Sequence, residues 1–194
     1  MKLYLSVIGI AMLIISAVNI AFGVAPWYYV VVAMVWCVAV QFAIDGLIAI
    51  IIKLTPDRLY PWDSPRYEVS EREKELYRRL RVRVWKDKVW ELGGVGGFSK
   101  KSLLKPDSPE YIEKFIVECH KGVLTHRLCY FVGIIIMLTI PNICALTIAL
   151  PAGIVNLVLN IMPTFVLRYN TPKLKSLLKR LRRNEAKMTT SVCK

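Results

Sequence analysis

The chain is poor in the residues from which metal and redox centres are built. Its 194 residues include only two histidines and five cysteines. The cysteines, Cys37, Cys119, Cys129, Cys144 and Cys193, show no CxxC and no paired spacing. That argues against a zinc ribbon or a disulfide framework and predicts free thiols, mostly in or near a membrane. HExxH is also missing. The glycine-rich stretch GGVGGFSKKS (93–102) does not accommodate GxxxxGK[ST], so a phosphate-binding loop of that class is excluded. It reads as a flexible loop whose Lys100 and Lys101, beside backbone amides, are able to touch an anion. Internal repeats and low-complexity tracts are absent.

Acid is scarce as well: 14 Asp and Glu stand against 27 Lys and Arg, a net charge of +13. A nucleic-acid binder is a weak reading of that charge, because no reading motif accompanies it. The chain is also 55% hydrophobic, with mean hydropathy +0.45. Apolar and strongly basic together describe a membrane protein with basic cytoplasmic segments. The length fits one compact unit.

Four apolar runs carry the hydropathy: Leu3–Phe22, Tyr28–Ile52, Leu128–Ile140 (extending back through Leu124 and Thr125) and Ile143–Leu167. A spanning helix needs about 20 apolar residues; the third run meets this marginally. The first is long for a signal peptide, a second span follows at once, and Pro26 blocks cleavage after Ala25, so it is expected to be retained. Segment Lys53–Lys121 holds 16 Lys and Arg and the tail from Arg168 holds 9, whereas the turns Gly23–Trp27 and Pro141–Asn142 hold none. By the positive-inside rule both turns are outside and both termini cytoplasmic. The expected fold is all-α: a polytopic membrane protein of the cell membrane with four transmembrane helices. It divides into an N-terminal transmembrane hairpin (1–52), a cytoplasmic middle segment with interfacial amphipathic helices (53–121), a C-terminal transmembrane hairpin (122–167) and a basic amphipathic tail (168–194).

The middle segment opens on the turn-rich TPDRLYPWDSP. Ser70-x-x-Glu73 is a capping box, predicting a helix from Glu71 to about Val84. Ser108-Pro109 is an N-cap followed by proline at the first helical position. A helix from there runs through ECHKGVLTH (118–126) towards the third apolar run, with Gly122 as a candidate bend. In the tail Thr171-Pro172 reads as another cap. Leu174, Leu177, Leu178 and Leu181 form an i, i+3, i+4, i+7 stripe among six cations, the pattern of an interfacial helix on anionic lipid.

ECHKGVLTH concentrates reactive side chains. On one helix His120 and His126 are about 240° apart around the axis, so they do not make a metal site together. His126 opens the third apolar run, where ionisable residues are functional candidates. It is suited to act as a general base; the alternative is an interfacial histidine bonded to a neighbouring helix. Glu118, eight residues earlier, lies about 12 Å away along a straight helix. It does not orient His126 directly without a bend, and pairs with a cation or reaches a substrate group. Asp45 lies inside the second span, facing a cation or polar cavity, or snorkelling to the interface. Asn19, Asn156 and Asn160 read as hydrogen-bonding residues between helices. Arg168, with Tyr169 and Asn170, sits where the fourth run ends. It anchors to lipid phosphate or grips a phosphorylated or thioester ligand.

WKDKVWELGGVGGFSKKSL (85–103), YIEKFIVECHKGVLTH (111–126) and NIMPTFVLRYNTPKLKSLL (160–178) together resemble the glycosyl-4,4′-diaponeurosporenoate acyltransferase family, over roughly Pro56–Arg183. Its pattern often carries Ala-Glu where this chain has Gly122-Val123, placing a glutamate three residues before the histidine. The resemblance implies an integral membrane O-acyltransferase. It would move an acyl group from an acyl thioester, with acyl-CoA as co-substrate and no cofactor or metal, to a hydroxyl of a lipid-linked sugar. His126 would then be the base and Glu118 would position the acceptor or a cation. Lys86, Lys88, Asn170 or Arg168 would stabilise the oxyanion. Trp85, Lys100, Lys101 and Tyr169 complete the substrate-binding expectation. Partners would be the thioester donor, the hydroxyl acceptor and anionic membrane lipids, with no nucleic acid. The other reading is a non-catalytic membrane protein that binds lipid or scaffolds an enzyme.

Overall fold

The computed structural model describes residues 2–89 and 103–192. Helix is the only regular structure among them: α1 (Lys2–Ala21), α2 (Trp27–Leu54), α3 (Glu71–Arg79), α4 (Val82–Trp85), α5 (Pro109–Cys129), α6 (Val132–Thr139) and α7 (Leu150–Val192). Short 3₁₀ turns precede α3, and a π-helical turn, Ala145–Ala149, leads into α7. The chain forms two compact units, residues 1–54 with 124–162 and residues 55–123 with 163–194.

The first unit is apolar. Helix α1 ends in a Schellman motif: Val24 N–H donates to Asn19 C=O, Gly23 N–H donates to Ile20 C=O, and Gly23 takes φ +62°. Helices α1 and α2 are each long and apolar enough to cross a membrane, yet only 11% of either window is buried within the protein. Leu13 and Val32 are among the side chains left exposed, a surface suited to lipid. The core joins Val30, Met34 and Cys37 of α2 to Cys129, Val132 and Ile136, and to Ile148 and Ala152. At Gly133 and Gly153 the backbones of α6 and α7 approach so closely that a Cβ on either would lie 2.8 Å from the other's Cα. Small residues commonly permit such contacts between membrane helices.

Among the described residues three helices, not four, are long and apolar enough for a span; the third is the one that includes α7, Ala145–Met188. The expected span over 128–140 is divided. Helix α5 ends at Cys129, a turn follows at Tyr130–Phe131, and α6 has only eight residues, about 12 Å of rise against a hydrocarbon core of about 30 Å. With three candidates, an even count of spans no longer accompanies the placement of both termini on one side, which rested on the distribution of Lys and Arg.

The second unit packs α5 against the C-terminal half of α7. Its core is Ile112, Phe115, Ile116, Cys119 and Val123 with Leu167, Leu174 and Leu178. The leucine stripe of the tail is therefore occupied by protein rather than by lipid, with Leu177 and Leu181 packed at its edge. Thr171-Pro172 is not a cap either. Helix α7 continues through Pro163 and Pro172, and the Thr171 hydroxyl donates to Leu167 C=O at 2.8 Å. A proline deletes one helical hydrogen bond, and the buried stripe on either side of Pro172 offsets that loss. The helix expected over 71–84 breaks at Leu80–Arg81, where Arg81 takes φ +50°, and restarts as α4. The predicted cap at its start is present, with Ser70 Oγ accepting from Glu73 N–H. At α5, Ser108 Oγ accepts from Tyr111 N–H at 3.2 Å, and the helix is unbroken through Gly122. The four cysteines among the described residues, Cys37, Cys119, Cys129 and Cys144, are free and buried.

Candidate functional site

In the first unit, α2, α5 and α7 converge on a chain of polar side chains within apolar surroundings. His126, half-buried near the end of α5, places Nδ1 2.9 Å from Asn160 Oδ1. The roles of these atoms follow from the rest of the network. Asn160 Nδ2 donates to Asn156 C=O at 3.1 Å, to Asn156 Oδ1 at 3.2 Å and, weakly, to Asp45 Oδ2 at 3.4 Å. Three acceptors around one nitrogen fix the orientation of the amide, leaving Oδ1 to face the imidazole. Since Oδ1 only accepts, His126 Nδ1 carries the proton, and Nε2 is the basic nitrogen of the neutral ring. The local helix places these groups: Asn156 and Asn160 are i and i+4 on α7, one above the other on one face. Asn156 Nδ2 also donates to Cys129 C=O at 3.4 Å, one of the carbonyls at the end of α5 that no helical N–H reaches.

Asp45 completes the chain. Oδ1 is buried without a hydrogen-bond partner, and the Cys129 thiol and the carboxamides of Asn160 and Asn156 lie against this carboxyl. No cation pairs with it among the described residues. A carboxyl in that position is costly, and it sits behind Asn160 as the third member of an imidazole–amide–carboxyl series. Val123, where the family pattern has glutamate, is 1% exposed in the core of the second unit. Its place is structural, and the group set against the His126 ring is Asn160 of α7.

The second unit holds most of the remaining candidates, in different surroundings. Arg168 is buried, and its Nε and Nη2 engage both carboxylate oxygens of Glu73, with Nη2 to Oε2 at 2.6 Å. Nη2 also donates to Glu68 C=O at 2.9 Å. The fork that would grip a ligand bidentately thus already grips Glu73, while Nη1 is buried without a partner. Tyr77 donates to the same carboxylate. Burial first, then the Glu73 carboxylate, pushes the phenol well above its ordinary value, so Tyr77 remains a donor. Glu73, singled out in the sequence only as a capping residue, is the centre of this network; the fourfold spacing of Glu73 and Tyr77 on an expected helix was the available signal.

Glu118 is half-buried on α5 and belongs to the second unit, whereas His126 belongs to the first. Lys121, a cation three residues from Glu118 on α5, donates to Asp57 Oδ1 at 2.6 Å and Thr55 C=O at 2.9 Å. His120 is fully buried and stacked on Tyr67, centroids 4.0 Å apart and planes 9° apart. The carbonyls of Tyr60 and Pro61 lie near its ring, but neither nitrogen forms a well-aligned hydrogen bond. Burial, reinforced by Lys175, pushes its pKa down to about 4, so the ring is neutral at pH 7. Tyr169 packs edge-on to Tyr77 and receives the Lys173 ammonium over its ring at 4.3 Å, and Asn170 is half-buried beside it in sequence. Trp85 donates to Leu80 C=O, Lys86 pairs with Asp87 at 2.6 Å, and Lys88 is exposed. Lys100, Lys101 and the glycine cluster lie outside the described residues. No group of three His, Cys, Asp or Glu able to hold a metal occurs among the described residues.

Residues 56–180 match the family model described as glycosyl-4,4′-diaponeurosporenoate acyltransferase, over more than half of the chain. The chain belongs to this family. Membership implies acyltransferase activity. No curated protein and no solved structure matches the chain. Within this acyltransferase family member, His126, Asn160, Glu73 and Arg168 all fall inside the matched residues, whereas Asp45 lies before them.

Proposed function

We propose that the protein is an O-acyltransferase that moves an acyl group from a thioester of the acyl-CoA kind to a hydroxyl of a glycosylated lipid, with a glycosyl carotenoid as the acceptor class that the family name suggests. The observation that carries this reading is the 2.9 Å contact between His126 Nδ1 and Asn160 Oδ1. It holds one tautomer and directs the basic Nε2 to take a proton. The acceptor hydroxyl gives its proton to Nε2 as its oxygen attacks the thioester carbonyl. The tetrahedral intermediate collapses, the carbon–sulfur bond breaks, and the departing thiolate takes the proton back from the imidazolium. An ester and a thiol result. Asn160 orients the ring, and Asp45, through the Asn160 amide, favours the positive charge that His126 carries in the middle of the reaction. The hydrocarbon parts of both substrates are suited to the apolar surroundings of the first unit. The basic middle and tail segments favour a cytoplasmic location for the donor's polar head.

The test is thiol release from a long-chain acyl-CoA by the protein in vesicles containing a glycolipid acceptor, with ester formation followed by mass spectrometry. His126→Ala should remain folded by circular dichroism and lose the transfer. Turnover near the wild-type rate in that variant removes the assignment of His126.

A further inference from the structure

The outer face of α7 in the second unit carries a groove of about 580 Å³ lined by Pro172, Lys173, Ser176, Leu177, Arg180 and Arg183. Its volume is inside the range of roughly 300–1,000 Å³ common to small-molecule sites. Lys173, Ser176, Arg180 and Arg183 follow one another at helical spacing and share a face, opposite the buried Leu174 and Leu178. The charges of this groove differ from other cations of the unit. Lys121, Arg168 and Arg182 are each matched to a carboxylate, Asp57, Glu73 and Glu113 respectively. Lys173, Arg180 and Arg183 have none among the described residues: Lys173 Nζ turns to the Tyr169 hydroxyl at 3.2 Å, and Arg183 Nε reaches only the Lys179 carbonyl at 3.4 Å. Like charges a turn or two apart on a helix repel. All the lining residues belong to α7, and three exposed cations on one open face without an acid complement a polyanion.

We infer that this groove binds a multiply charged phosphate group. The inference stands apart from the acyl-transfer reading. Arginine forks and a lysine point charge are suited to phosphate oxygens. The sequence offers Lys100 and Lys101 for contact with an anion and Lys86 and Lys88 for an oxyanion. Lys86 is taken by Asp87, and α7 supplies the cations that have no acid.

The experiment is calorimetric titration of the full-length protein in phosphatidylcholine nanodiscs with coenzyme A and, separately, with inorganic pyrophosphate. Both should bind, more weakly as salt rises. The triple variant K173Q/R180Q/R183Q should weaken both by about tenfold or more, since charge-assisted hydrogen bonds are lost. A control of equal charge change, R66Q/R72Q/K114Q, also on exposed positions, should bind as the wild type does. Equal binding by wild type and triple variant, or no binding by the wild type, overturns the inference. Phosphatidylglycerol in the nanodisc tests the other source of phosphate. If it displaces coenzyme A from the wild type through the same three residues, the phosphate is that of a lipid headgroup; if it does not, the phosphate is that of a soluble ligand. Coenzyme A binding at the groove without any acyl transfer would leave the groove standing and remove the proposed function.

Discussion

The two units solve the placement of polar groups in opposite ways. In the first, the working contacts are neutral: an imidazole, two carboxamides and backbone carbonyls joined in series, with one carboxyl at the end and no ion pair among the described residues. In the second, charge is matched with charge. Arg168 holds Glu73, Lys121 holds Asp57 and Arg182 holds Glu113. A full charge in hydrocarbon lacks solvent to relieve it, whereas a carboxamide offers a donor and an acceptor at lower cost. The first unit is accordingly arranged to hold one titratable ring in one tautomer, and the second to hold its helices.

If this contrast is right, the largest effect of substitution is on chemistry in the first unit. His126→Ala should lower the rate of transfer by about 10²–10⁴-fold without loss of helix. Asn160→Ala should lower kcat by about 10–100-fold, a loss of the kind seen when a ring's orienting partner is removed, with KM little changed; a change confined to KM would assign Asn160 to substrate binding instead. In the second unit the expected loss is stability. Glu73→Ala leaves the Arg168 guanidinium buried and unpaired and should cost about 3–5 kcal/mol, measured by thermal unfolding in detergent. Gly153→Ala, back in the first unit, brings a Cβ to within 2.8 Å of the Gly133 Cα and should cost about 1–3 kcal/mol by overpacking.

The effect that is smallest at neutral pH, and grows only with acid, is a dependence of stability on pH. His120 is neutral in the fold, with its pKa pushed from 6.5 down to about 4. Between these values the unfolded chain binds the proton and the folded chain does not. Stability is therefore full above pH 6.5 and declines as pH falls towards 4, by at most about 1.4 kcal/mol per pH unit. His120→Phe should abolish this slope in melting temperature measured from pH 7 to 4. A slope that persists unchanged would assign the acid sensitivity to other groups.

Much of the frame was legible along the chain. The first two apolar runs, the Ser70 and Ser108 caps and the unpaired state of the four described cysteines follow from local rules, and the structure has them. The third run misled because hydropathy averages over a window and does not register a two-residue break after Cys129. Pro172 misled because helix propensity is local, whereas Leu174 and Leu178 secure the helix by burial against α5. The leucine stripe was recognised but its occupant was not: the same periodicity suits lipid and a neighbouring helix.

The candidate site divides in the same way. Sequence alone singled out His126, from its residue type and its place at the start of an apolar run, and it showed that His120 faces elsewhere. It also showed that the carboxylate expected at 123 is absent. Only the tertiary structure decided that Asn160, 34 residues further along the chain, takes up the ring, and that Arg168 serves Glu73. Periodicity reports which residues share a face of one helix. Which two faces meet is set by packing, and that depends on the whole chain.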